Sequence, residues 1–127
     1  MKPISSRLHG ILDYAVGLLL IVAPFLLDFA NDGPAMWVPI ILGAGTIAYS
    51  LMTDYELGMI RAIPFRAHLA VDAVAGIFLA ASPWIFGFAD FVLVPHVLVG
   101  VVELVVVALT RTIPVHTHVQ PGGRASL

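Results

Sequence analysis

RAHLAVDAVAG, Arg66 to Gly76, places an arginine, a histidine and an aspartate within seven residues of an otherwise apolar chain. RLHGILDYAVG, Arg7 to Gly17, says nearly the same thing 59 positions earlier. Residues three or four apart share one face of a helix. His68, Asp72, Gly76 and Ala80 therefore form a stripe, and His9, Asp13 and Gly17 form its twin. Two copies of one polar stripe on aliphatic cylinders predict two repeated helical units with their polar seams turned inward.

The rest of the chain fixes the solvent. Of 127 residues, 60% are hydrophobic and 11% charged, with a mean hydropathy of +1.01. A water-soluble domain of this size has about a quarter of its residues charged. Most of this surface must therefore face lipid. Four stretches reach the roughly 17–25 residues a spanning helix needs: 8–27, 36–52, 67–88 and 92–109. The first, preceded by Lys2 and Arg7, has the look of a signal peptide, but it recurs as the third and is read as architecture. The absence of cysteine excludes disulfides, thiolate nucleophiles and zinc–thiolate or iron–sulfur sites. A net charge of −2 without a basic patch argues against a nucleic-acid partner.

The six basic residues, Lys2, Arg7, Arg61, Arg66, Arg111 and Arg124, lie at the termini or in the middle connection. The first and last connections carry Asp28, Asp32 and Asp90 instead. With four spans the basic segments share one side, which the positive-inside rule assigns to the cytoplasm. The expected location is the bacterial inner membrane, multi-pass, with both termini cytoplasmic. Trp37 and Trp84 at outer ends and Tyr55 at an inner end suit interfacial anchors. The middle connection, with Leu57, Met59, Ile60, Arg61 and Ile63, suits the inner interface.

The repeat is extensive. A shift of 59 carries Arg7, His9, Asp13, Gly17, Pro24, Phe29 and Ala30 onto Arg66, His68, Asp72, Gly76, Pro83, Phe88 and Ala89. A shift of 57 carries Gly43 and Thr53 onto Gly100 and Thr110. Parallel repeats of this kind are related by an axis along the membrane normal. The expected fold is an all-α four-helix transmembrane bundle of two tandem hairpins. Residues 1–64 form the first repeat, 65–114 the second, and 115–127 a flexible tail.

Near the end of the third stretch stand Ser82, Pro83 and Trp84. This triplet, in the first helix of a hairpin within a duplicated chain, resembles the signature of the SPW-repeat family of small bacterial membrane proteins. The first unit departs from the pattern, reading Ala23-Pro24-Phe25. The resemblance implies a two-helix repeat and brings no established activity with it. Physically, proline removes a backbone donor, and a neighbouring serine helps satisfy the freed carbonyl.

Polar stripes also run through Pro39, Gly43, Thr46, Ser50 and Thr53, and through His96, Gly100, Glu103, Val107 and Thr110. Asp13, Asp72 and Glu103 lie at similar depths, about 9 Å from the cytoplasmic ends at 1.5 Å per residue. The candidate seam is Arg7, His9, Asp13, Arg66, His68, Asp72 and Glu103. Charges within a bilayer cost about 2.5–3.5 kcal/mol each on insertion scales, so they find partners and often have a task. Three readings stand. His–Asp pairs one turn apart, reinforced by arginine, fix helix packing. Alternatively, the cluster moves protons or cations. Less in keeping with the sequence, it binds a metal or haem, for which no Glu-x-x-His pair is present. Glu103 draws attention because its repeat partner is the neutral Thr46.

His116 and His118 in the tail make two ligands and no stable site. His96 is expected at a helix end, capping or solvent-exposed. No serine triad, phosphate loop or dinucleotide fingerprint appears, so an enzyme is not the expected reading, and no cofactor is predicted. The expected partners are the lipid bilayer and a homo-oligomer or larger membrane complex, with Gly43, Gly45 and Gly100 offering close contacts.

Overall fold

The computed structural model describes residues 2–114, so the tail with His116 and His118 lies outside the described residues. Four helices follow one another: α1 (Ser6–Leu26), α2 (Pro34–Leu51), α3 (Phe65–Ile85) and α4 (Val94–Leu109). Between α2 and α3, β1 (Thr53–Asp54) pairs in parallel with β2 (Ile63–Pro64). The first three helices are long and apolar enough to cross a membrane, and α4 is an apolar helix of 16 residues. At 1.5 Å per residue, the 21 residues of α1 and of α3 reach about 31 Å, the thickness of a bilayer core. The chain is an all-α membrane bundle.

Exposed leucine, isoleucine, valine and phenylalanine side chains cover its outside, and the buried set is rich in His, Asp, Thr and Ser. That inversion suits lipid, where apolar faces need no burial and polar groups do. Trp37 and Trp84 stand 48% and 61% exposed. Tyr55, expected as an interfacial anchor, is fully buried instead, stacked on Phe65. It sits in the mouth between helices because Gly10 leaves room for its ring: a Cβ there would lie 2.3 Å from Tyr55 Cε2.

Each helix packs chiefly on its hairpin partner, α1 on α2 and α3 on α4. Glycine pairs make those crossings. A Cβ on Gly43 would stand 2.4 Å from the carbonyl oxygen of Gly17, and one on Gly100 2.6 Å from that of Gly76. Gly43 and Gly100 are thus spent inside the hairpins and are not free for contacts between copies of the chain. Gly45 has nothing within 4 Å.

The C-terminal ends of α1 and α3 close with the same device. The residues after the caps, Asp28 and Gly87, adopt left-handed φ of 59° and 72°. Phe29 N–H then donates to Pro24 O at 2.9 Å and Phe88 N–H to Pro83 O at 2.8 Å, the six-to-one bond of a Schellman motif. Pro83 cannot bond Leu79 O, and Ser82 Oγ donates to that carbonyl at 2.7 Å. Ala23, at the matched place in the first repeat, has no hydroxyl for this task.

At the opposite end of the bundle, Ile63 N donates to Met52 O at 2.9 Å, and Ile4 N to Leu109 O at 3.1 Å. The second contact, with its Ile4–Thr110 bridge, repeats the first across the molecule. Each bridge pins the segment entering one hairpin to the segment leaving a hairpin, and each fixes a threonine, Thr53 or Thr110, beside the polar seam.

Candidate functional site

His9 and Asp13 project from α1, and His68 and Asp72 from α3; all four are at most 1% exposed. Their polar ends converge from the two repeats. His9 Nε2 lies 2.8 Å from Asp72 Oδ2 and 3.2 Å from Asp13 Oδ1. His68 Nε2 lies 2.8 Å from Asp13 Oδ2 and 3.0 Å from Asp72 Oδ2. The sequence suggests pairing one turn apart along each helix. The closer contacts instead cross between hairpins, because the stripes of α1 and α3 both face the space between them, which the side chains bridge.

The backs of both rings are held alike. Thr53 Oγ1 donates to Tyr49 O at 2.6 Å, and Thr110 Oγ1 donates to Val106 O at 2.6 Å. Each hydroxyl has then used its hydrogen. It can only accept from the histidine Nδ1 beside it, at 2.8 Å for His68 and 2.9 Å for His9. Both Nδ1 atoms therefore carry hydrogen and both Nε2 atoms aim at the carboxylates. Each Nε2–Oδ2 contact at 2.8 Å must hold a proton, whichever atom carries it.

The two halves differ in their outer partners. Tyr49 hydroxyl donates to Asp72 Oδ1. At the matched place in α4 stands Val106, and Asp13 Oδ1 is buried without a hydrogen-bond partner. Aromatic rings wall the centre: Phe65 meets His9 edge-on at 5.8 Å, and Tyr55 lies 5.5 Å from His68. Burial pushes the Tyr55 phenol up, so this plug stays uncharged.

The remaining seam residues are placed differently. Arg7 and Arg66 are exposed at the starts of α1 and α3, with no ion pair among the described residues. Each sits two positions from its histidine, on another face of the helix. Glu103 is half-buried. It lines a small void of about 20 Å³ with Thr46, Tyr49 and Gly76. Ser82 and Pro83 are buried at the opposite end of α3, and Pro24 at that of α1.

His96, expected at a capping or exposed position, is 1% exposed. Its Nε2 donates to Ala35 O at 2.9 Å. Pro39, four residues after Ala35, has no N–H to offer that carbonyl. The imidazole of the second repeat repairs a gap in the first, between the rings of Phe29 at 5.4 Å and Phe88 at 4.8 Å. The signal was legible in principle: a proline inside a helix orphans a carbonyl, and His96 falls at the position that matches Pro39.

A model of the SPW repeat domain matches residues 7–110, most of the chain. The chain belongs to the SPW-repeat family. The matched span begins at Arg7, two residues before His9, and ends on Thr110, so it encloses the histidines, the aspartates and both supporting threonines. No curated protein matches the chain, and neither does any solved structure. In this SPW-repeat protein the triplet and the polar centre occupy opposite ends of α3. Ser82 mends the carbonyl freed by Pro83, and Trp84 faces outward.

Proposed function

We propose that this SPW-repeat protein is an accessory or structural subunit of the bacterial inner membrane, with both termini in the cytoplasm. Its His–Asp quartet clamps one hairpin to the other and so presents a fixed outer surface to partner proteins or further copies of the chain. The observation that carries this reading is the crossed pairing of His9 with Asp72 and His68 with Asp13 at 2.8 Å, sealed from both faces. A conduction pathway is lined by carbonyls or polar and charged side chains, interrupted by short hydrophobic gates. Here the half of the bundle beyond the quartet is lined by apolar side chains, among them Leu20, Val38 and Leu79, and the cavity of about 230 Å³ at that level is almost wholly apolar.

A buried ionic network fixes which surfaces meet, a use for which such groups are kept despite their desolvation cost. The test is assembly. The wild type and a His9→Gln/His68→Gln variant are purified from membranes and compared by native mass spectrometry. The clamp reading expects the variant to lose the oligomer or partners that the wild type retains. Unchanged assembly overturns it. Single cysteines introduced at Asp32, Asp90 and Leu127 into this cysteine-free chain test orientation, with only the first two labelled from outside.

One observation favours a second reading, proton handling. Glu103 and Tyr49 line the same void, whose volume of about 20 Å³ is enough for one water, and Tyr49 donates to Asp72. Proton flux in liposomes that is lost on Glu103→Gln would establish it.

A further inference from the structure

We infer that the quartet of His9, Asp13, His68 and Asp72 is a binding site for one divalent transition-metal ion, with zinc the occupant its donors suit best. The inference goes beyond the clamp and shares only its geometry: it names what the centre holds.

The donor atoms come first. Two Nε2 atoms and one carboxylate oxygen from each aspartate all lie within 4.8 Å of one another. Zinc binds imidazole nitrogen at about 2.0–2.1 Å and carboxylate oxygen at about 2.0–2.2 Å, so donors around it stand roughly 3.3 Å apart. The contacts from the two Nε2 atoms to the Oδ2 atoms of the aspartates measure 2.8, 2.8 and 3.0 Å. Widening by up to about half an ångström, set by that spacing, opens a four-coordinate site.

The support comes second. Metal-bound histidines donate their other N–H to a fixed acceptor, which sets the tautomer and aims the lone pair. Thr53 and Thr110 do this for both rings, with hydroxyl hydrogens already committed to backbone carbonyls. Tyr49 steadies Asp72 in the same way.

Charge and orphaned capacity come third. Two carboxylates in an apolar interior call for a charge of +2. A divalent ion supplies it at one point, leaving both imidazoles neutral. Asp13 Oδ1, buried beside His9 without a hydrogen-bond partner, is a donor that the closed quartet leaves unused. Mixed nitrogen and oxygen donors without thiolate favour zinc, iron, manganese or cobalt over calcium or magnesium, which take oxygen.

The test uses the full chain in detergent, with the tail histidines changed by His116→Ala and His118→Ala so that they bind nothing. After chelator treatment, cobalt(II) is added as a spectroscopic stand-in for zinc. The expected result is about one cobalt per chain with the strong visible absorption of a four-coordinate ion, displaced by zinc. Thr53→Val with Thr110→Val should weaken cobalt binding about 10–100-fold, the usual effect of removing such supports. His9→Gln with His68→Gln should abolish the band. A folded chain that takes up no cobalt, or shows only the weak absorption of a six-coordinate ion, overturns the inference. That readout keeps the quartet intact and needs only the tail variant. Absence of metal alongside the assembly loss described above would leave the clamp standing. Metal bound by a chain whose assembly ignores the quartet would remove the clamp alone.

Discussion

His9 Nε2 and Asp72 Oδ2, 63 residues apart, meet at 2.8 Å, closer than His9 comes to Asp13 on its own helix. The contact joins the two repeats at a point fully withheld from solvent. Breaking a buried pair by removing one partner costs about 3–5 kcal/mol, since the survivor keeps its desolvation without its partner. His9→Gln and Asp72→Asn should each destabilise the bundle on that scale in micelle unfolding. A double-mutant cycle should give a larger coupling for His9 with Asp72 than for His9 with Asp13.

Thr53 and Thr110 hold the two rings from behind at 2.8 and 2.9 Å. Valine keeps the shape and removes the acceptor, leaving a buried N–H unmatched at a cost of about 1–3 kcal/mol. Thr53→Val and Thr110→Val should destabilise by similar amounts, because the two threonines do the same task. Imidazole nitrogen NMR should show both Nδ1 atoms protonated in the wild type and a shifted Nδ1 resonance in each variant.

The glycine crossings give a steric prediction. A Cβ at Gly100 would lie 2.6 Å from Gly76 O and 2.7 Å from Ala80 N, both backbone atoms that cannot swing away. Gly100→Val should cost at least the roughly 1–3 kcal/mol of ordinary overpacking. Gly45→Val, with open space around it, should stay within about 0.5 kcal/mol of wild type. Comparable losses at the two positions would show that the helices cross elsewhere.

His96 and Pro39 form a repair pair through Ala35 O. His96→Leu strands that carbonyl and should cost about 1–3 kcal/mol. In a Pro39→Ala background the helix regains its own N–H, and the same substitution should cost clearly less. An equal loss in both backgrounds would mean that the imidazole serves the rings of Phe29 and Phe88 rather than the carbonyl.

The SPW triplet can be tested by exchange. Ser82→Ala removes the donor to Leu79 O and should lose about 0.5–1.5 kcal/mol. Ala23→Ser offers the first repeat the same hydroxyl and should stabilise by a similar or smaller amount.

The stripes on α1 and α3 were legible because helical periodicity fixes which residues share a face: His9 with Asp13, His68 with Asp72. Periodicity cannot say which face meets which, so the crossed pairing was not legible. Composition drew Arg7 and Arg66 into the seam, but they sit two residues from their histidines, and that offset turns them outward. Residue type alone places Tyr55 at the interface, whereas the space above Gly10 draws it inside. The threonines behind the rings lay on stripes already visible in the sequence. Their role needed the Ile4–Thr110 and Thr53–Ile63 bridges, which tie together segments that are distant along the chain.

The crossed pairing can be read directly in lipid bilayers by solid-state NMR, from the dipolar coupling between His9 15Nε2 and Asp72 13Cγ. The account predicts a measurable coupling, that of a hydrogen-bonded donor and acceptor, and a matching one between His68 and Asp13. Couplings confined to His9 with Asp13 and His68 with Asp72, with none between helices, would contradict it.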